Sequence, residues 1–329
     1  MSRRRIPDEV LSAAHDRAAA REVRDWAEAD RLRAEIEAAG WKIVDRGTDF
    51  ALTPVAPLDM AEGERVRFGA SANVPSRMEE TPVGVASVVL VATDWPDDLA
   101  RALSGLADHA PEGTSIVVVA DAPSEDQAAA LEVVEAGGGT GGLATEIVWT
   151  SARLGQGAAL NAGVRRAPGP IVIQLDSSVE PTGDFVTPLA AALEDPAVAL
   201  TGGWGIVSDD LRRFEEAAPG EVDAIEAYCL AFRREDFATR GPFDERFRFY
   251  RNLDIWWSLV LRDEGEGTSP RRAVALADLP LARHEHRGYT SLPPDERDRL
   301  SKRNFYRIID RFGSRLDLLV RSGGDTRAD

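Results

Sequence analysis

The chain has 329 residues, is 43% hydrophobic, and sets 39 Lys and Arg against 56 Asp and Glu for a formal net charge of -17. That length suits one large domain or two of ordinary size, with ample apolar material for a core. The acidic excess counts against nucleic acid and anionic lipid as broad partners, because both are held mainly by Lys and Arg, while leaving a local basic pocket open. Cys229 is the only cysteine, which excludes an internal disulfide and a Cys-based zinc site. No apolar run nears the roughly 18–20 residues that span a bilayer. MSRRRIPDE has no apolar stretch behind its arginines to make a secretory signal. A cytoplasmic protein without an integral membrane segment is expected, one that reaches the inner membrane only through a partner. Lys42 and Lys302 are the only lysines. So complete a replacement by Arg is a signature of GC-rich base composition, and a bacterial source is expected.

Residues 6–40 read as two amphipathic helices. Pro7 suits a first helical position, and Asp8 and Glu9 suit the positive end of the helix dipole. Val10, Leu11, Ala14 and Ala18 recur at helical spacing in the first helix. Trp26, Ala29, Leu32 and Ile36 form the stripe of the second, which stops at Gly40. WKIVDRGTDFALTPV then predicts a short β-hairpin turning near Gly47 and Thr48. Across residues 55–82, Pro57, Pro75 and Pro82 with interspersed Gly, Ser and Glu break any period and predict a linker. From Val83 onward VASVVLVA, TSIVVVA and PIVIQLD predict parallel strands buried on both faces, with helices near 96–108, 124–136 and 156–167. GGGTGG at 137–142 lacks the Lys and Ser/Thr of a phosphate loop and predicts a flexible turn. The alternation gives a doubly wound α/β sheet with ligands at the carboxyl ends of its strands. A disordered tail is expected over 323–329.

The segment RLGQGAALNAGVRRAPGPIVIQLDSSVEP (153–181) resembles the heart of family 2 glycosyltransferases. There a Gly-rich turn and a helix with the pattern A-x-N-x-G precede a strand ending in the acidic DxD motif. VASVVLVATDWPDDLARAL (85–103) resembles the family's opening strand and helix. GPFDERFRFYRNLDIWWSLVLRDEG (241–265) resembles its G-F-D-E-x-F stretch, acidic pair and helix. The resemblance covers residues 83–322 and implies a GT-A fold with a mixed sheet. It also implies inverting transfer of a hexosyl group from a nucleotide-sugar donor to a hydroxyl of an unknown acceptor (a glycan, a lipid-linked or a small molecule), with Mg2+ or Mn2+ assisting.

Asp176, at the carboxyl end of a buried strand, can face the crevice and ligate a hard cation, which prefers oxygen donors. The alternative is an aspartate that caps the following turn. The motif here reads Asp176-Ser177-Ser178, so Ser178 stands where the family has a second carboxylate, and metal binding must draw on other ligands. His284 and His286 are the candidates, since they follow the catalytic helix where such enzymes supply a metal-ligating histidine. An extended segment would point both rings to one side, with Glu285 opposite; the bland alternative is two solvated histidines. Asp254 matches the aspartate of the acidic pair and is implied as the catalytic base, although Asn252 and Leu253 precede it in place of the partner acid. A helix-dipole aspartate is the other reading. Asp121 matches the aspartate that contacts base or ribose, or else forms the turn before Pro123. Arg153, Gly155, Gly157 and Asn161 match the donor-binding turn and helix, where glycines would let the backbone approach the nucleotide. Asn161 could equally serve the helix alone. Trp204, in TGGWG, and Trp256 or Trp257 are candidate sugar platforms, although at least one of the adjacent pair is expected in the core.

Residues 5–54 resemble the C-terminal helical and hairpin segment of bacterial cysteinyl-tRNA synthetases, so a 1–54 module is expected ahead of the linker. Its interleaved charges suit a solvated surface better than a phosphate-binding stripe, so packing or docking is expected, with RNA binding as the sharper alternative. Two further readings compete for the whole chain. One is a GT-A scaffold that binds nucleotide with decayed chemistry. The other is a nucleotidyltransferase, which needs a basic Gly-rich loop after the first strand where this chain has ATDWPDD.

Overall fold

The computed structural model describes residues 6–46, 49–55 and 57–320. The chain divides into two compact units, Met1–Pro57 and Leu58–Asp329. The first holds the expected helix pair, α1 (Asp8–Glu22) and α2 (Trp26–Ala38), and an antiparallel hairpin of β1 (Trp41–Arg46) and β2 (Asp49–Pro54). Val10, Ala13, Ala14, Leu32, Ile36, Trp41 and Ile43 form its core. Asp25 caps α2 by accepting the Glu28 N–H at 3.1 Å. That cap puts Trp26 in the first turn, 56% exposed, and takes it off the stripe on which it was expected. Leu11 is likewise exposed and Ala13 packs in its place. Buried Arg17 pairs with Asp45 at 2.7 Å, so part of the interleaved charge is internal. The turn expected at Gly47 and Thr48 and the tail over 323–329 lie outside the described residues.

The second unit opens with β3 (Met60–Glu62), β4 (Arg65–Phe68), β5 (Ala86–Ala92), α3 (Pro96–His109), β6 (Thr114–Ala120), α4 (Glu125–Glu135), β7 (Ala144–Thr150) and α5 (Gln156–Arg166). It continues through β8 (Ile171–Leu175), β9 (Val179–Pro181), α6 (Val186–Ala192), β10 (Val198–Gly202), β11 (Gly205–Val207), β12 (Glu215–Ala217), β13 (Gly220–Val222) and β14 (Ala224–Ile225). Then come β15 (Cys229–Arg233), α7 (Arg234–Arg240), α8 (Leu253–Arg262), β16 (Arg272–Ala275), β17 (Leu281–Arg283), α9 (Arg287–Thr290) and α10 (Pro294–Phe312).

Ten strands form one sheet in the order β13-β16-β10-β15-β8-β5-β6-β7-β4-β3. β8, β5, β6, β7 and β4 run parallel, and β15 joins β8 antiparallel, so the sheet is mixed. Along β5, Val88 and Leu90 enter one apolar layer with Leu99 and Leu103 of α3. Val89 enters the opposite layer with Ala159 and Leu160 of α5. A strand sends successive side chains to opposite faces, so one covered on both sides must be apolar throughout. The expected linker is a correction: β4 pairs parallel with β7, Arg67 opposite Trp149, and β3 folds back on β4 as an edge hairpin. These strands are three and four residues long, too short for a period to register between prolines. GGGTGG is a turn between α4 and β7, with Gly137, Gly139, Gly141 and Gly142 all at positive φ. Trp256 and Trp257 are both core residues, and the Trp257 ring lies 4.3 Å from that of Phe243. Among the described residues no helix is long and apolar enough to cross a membrane.

Candidate active site

The carboxyl ends of β5, β6 and β8 open onto a pocket of about 280 Å³ whose lining includes Asp94, Asp121, Arg153, Gly155, Asp176, Ser178 and His286. A larger pocket of about 690 Å³ includes Glu226, Tyr228, Arg251, Asp254 and Glu285 in its lining. Asp176, Tyr250 and His286 line both, so they form a common wall.

Asp176 faces His286, with Oδ2 3.3 Å from Nε2. Its Oδ1 accepts the Ser178 backbone N–H at 2.9 Å and the Ser178 hydroxyl at 2.5 Å. Ser178 therefore orients Asp176 where the family motif would offer a second carboxylate. Loss of water pushes the Asp176 carboxyl up, but the hydrogen bonds from His286 and Ser178 outweigh it and leave it below its ordinary value. His286 is pulled down by burial and raised further by Asp176, with a net rise. Its Nδ1 accepts the Tyr289 N–H at 3.1 Å, capping α9, and its ring stacks on Tyr250 at 4.4 Å.

His284 goes elsewhere. Its Nε2 lies 2.7 Å from Glu180, it lines neither pocket, and Glu285, not His284, joins His286 at the larger one. The expectation that both rings share a side fails because His286 turns to cap α9. Among the described residues no group of three or more His, Cys, Asp or Glu could hold a metal. Asp176 can take a divalent ion that completes its shell with diphosphate oxygens and water, as Mg2+ usually does, whereas His286 can join only with Nε2 bare and Nδ1 protonated, which gives up the Tyr289 N–H cap.

Asp121 is buried, and its carboxylate accepts the N–H groups of Leu154 at 2.6 Å and Gly155 at 3.1 Å. Burial still keeps it above the ordinary aspartate value. The turn it pins carries Arg153, which donates to both carboxylate oxygens of Asp94 at 3.0 and 3.1 Å and to the Ala122 carbonyl. Gly155 has φ 90, and a Cβ there would sit 2.8 Å from the Arg248 Cα.

Two motif residues stand away from the smaller pocket. A Cβ on Gly157 would meet the Asp244 carbonyl at 2.6 Å, so this glycine admits the 244–245 backbone and not a nucleotide. Asn161 donates to the Phe243 carbonyl and accepts the Phe243 N–H, both at 2.9 Å. Together they clamp the GPFDE stretch (241–245) that leads to Arg248 and Tyr250.

Asp254, in the first turn of α8, accepts the N–H groups of Ile255 at 2.9 Å and Ala227 at 3.1 Å. Loss of water raises its carboxyl above the ordinary value, partly offset by those bonds. Glu226, across the same pocket, is pushed up to about 6 by burial and by the charge of Asp254. It is ion-paired to Arg283 at 3.5 Å. Sequence reasoning missed Glu226, and it missed Arg248 and Tyr250, which were in view within FRFYR. Trp204 lies under Arg283, whose guanidinium is 5.3 Å from its ring.

Residues 87–253 match the model of Glycosyl transferase family 2. The chain belongs to that family. A solved GalNAc-T7 with UDP, GalNAc and Mn2+ superposes on this family 2 member with a TM-score of 0.58 at 16% identity, over 71% of this chain and 50% of that one. That likeness shows the GT-A fold. The mannosyltransferase PcManGT from Pyrobaculum calidifontis, solved with GDP-Man and Mn2+, gives a TM-score of 0.49 at 16% identity over 78% of this chain and 79% of that one. A cysteine–tRNA ligase of Opitutus terrae is 47% identical over 49 residues, which are 15% of this chain and 11% of the ligase. The family 2 chain thus spans half of the GalNAc-T7 chain and about a tenth of the ligase.

Proposed function

We propose that this chain is an inverting transferase that moves a hexosyl group from a nucleotide-sugar to an acceptor hydroxyl, assisted by Mg2+ or Mn2+. The observation that supports it is the pair of pockets sharing Asp176, Tyr250 and His286 as one wall. A donor in the smaller pocket would set its diphosphate against that wall, with Arg153, Arg248 and Arg287 supplying positive charge around it. Asp121 acts by holding the turn beneath the donor. Asp176 and His286 would hold the divalent ion, which neutralises charge on a departing diphosphate when bound. On the far side of the wall, Asp254 receives the acceptor. Its carboxylate takes the hydroxyl proton as that oxygen bonds to the anomeric carbon and the diphosphate leaves from the opposite face, which inverts the centre. Its raised proton affinity suits that task.

A second reading, a nucleotide-binding scaffold without turnover, is favoured by Ser178 in place of the second acid. A panel of UDP-, GDP- and dTDP-sugars with Mn2+, Mg2+ or chelator separates them, because a ligand of the native state raises thermal stability. Metal-dependent stabilisation with slow release of free nucleotide is the expected result. Stabilisation without release in every combination would favour the scaffold, and no stabilisation by any nucleotide would overturn both.

A further inference from the structure

The charges of α10 recur at helical spacing. Arg299, Lys302, Arg303 and Arg307 follow one another at i, i+3, i+4 and i+8, so they share one face of the helix. With Arg246 they line a shallow hollow of about 510 Å³ in which Asp310 is the one carboxylate. Tyr306, 53% exposed, stands among them. Like charges three and four residues apart work against a helix. Burial, then the like charges of Arg303 and Arg246, hold Arg307 below its ordinary value. Among the described residues, Arg307 donates to neutral acceptors, the Arg303 carbonyl and the Asn304 side-chain oxygen. Arg246 is matched by Asp244 at 2.6 Å and Arg299 by Glu296 at 3.4 Å. Five cations crowd one face of a chain whose net charge is -17.

We propose that this face of α10 docks on an anionic lipid surface. The arrangement fits a plane of phosphates better than a single soluble anion. A small-anion pocket withdraws its donors from water, whereas Arg246, Arg299, Lys302 and Arg303 are exposed, and the α10 row from Arg299 to Arg307 runs roughly 12 Å by helical rise. A tyrosine amid the row has an apolar body and a polar tip, the kind of side chain found at headgroup depth. The acidic remainder of the chain does not forbid this. Charges beyond about 8 Å are screened at physiological salt, so the local face governs contact.

The test uses the full chain and reads no catalysis, so it stands apart from the transferase reading. Sedimentation is measured with vesicles of phosphatidylcholine alone and of a roughly 2:1 mixture with phosphatidylglycerol. Binding is expected only to the mixture, with loss at about 0.5 M NaCl. Replacing Arg299, Lys302 and Arg303 together by Gln is expected to weaken partitioning roughly fivefold per cation, on the order of a hundredfold in all. Its thermal midpoint should stay close to that of the wild type, because the three side chains are exposed and the ion pairing lost is offset by relief of like-charge repulsion. Should the triple variant misfold, Lys302→Glu alone, a change of two charges at an exposed site, reads a loss of about 25-fold. The proposal is overturned by absence of binding to the anionic vesicles, by equal binding of the folded variants, or by binding that salt does not weaken. It is also overturned if millimolar inorganic phosphate competes as well as vesicles do, which would mark a pocket for a soluble anion.

Discussion

The two pockets that meet at Asp176 are built in different ways. The smaller has its floor at the ends of β5, β6 and β8, whose backbones are fixed by neighbouring strands and packed on both faces, and is closed by Arg248 to Tyr250 and by the segment from His286 to Leu292. The larger is assembled from segments around Glu226, Tyr250 to Asp254, and Glu285 to Thr290, brought together from distant parts of the chain. A sheet edge places a few groups firmly, while the connecting segments can vary without disturbing the core. On the transferase reading, the donor side should therefore be the more robust in position, and the acceptor side should carry the selectivity.

The sharpest way to break that contrast is Asp254→Asn. Turnover should fall about 10²–10⁴-fold, the usual contribution of a general base, while stabilisation by the donor nucleotide stays unchanged. Equal loss of both would mean that the two sides are not separable. Next, His286→Ala should weaken metal-dependent donor binding by roughly 10–100-fold, and His284→Ala should leave it alone. Calorimetric titration of Mn2+ with a non-hydrolysable donor would decide this, and a matching loss in both variants would return His284 to the shell.

Smaller effects should appear in stability. Gly157→Ala, which drives a Cβ into the Asp244 carbonyl, should cost about 1–3 kcal/mol in denaturant unfolding. A neutral result would mean that the 244–245 backbone yields freely and that the clamp is unimportant. Glu226, held at about 6 against an ordinary 4.5, binds its proton more tightly folded than unfolded. The stability this contributes is complete below 4.5 and is lost as pH rises through about 6. Glu226→Gln should thus be more stable than the wild type by about 2 kcal/mol near pH 8 and indistinguishable near pH 4. A variant less stable at the higher pH would show that the Arg283 pair outweighs burial.

The strands and helices of the sheet were legible because burial on both faces writes continuous apolar runs, as in TSIVVVA, buried at every position. β3 and β4 were not, since a three- or four-residue strand leaves no period and its partner β7 lies some eighty residues away. The resemblance pointed to Asp176, at a strand end, and to His286, and both line the two pockets. It was misleading at Gly157 and Asn161, because a motif tells which residues recur together and not whether they face a ligand or another stretch of backbone. Glu226 was invisible for a plainer reason: its character comes from water excluded by neighbours that only the fold assembles, and then from Asp254, 28 positions on.

The common wall has a thermodynamic consequence on the transferase reading. A donor that draws on Asp176 and His286 alters the hydrogen bonding and charge that the second substrate meets, so the two binding steps share a coupling free energy. Linkage makes that coupling reciprocal: whatever factor the donor imposes on acceptor affinity, the acceptor imposes on the donor. Cleaved nucleotide and new glycoside, which meet at the same wall, would share a coupling of their own, equal in both directions for their affinities.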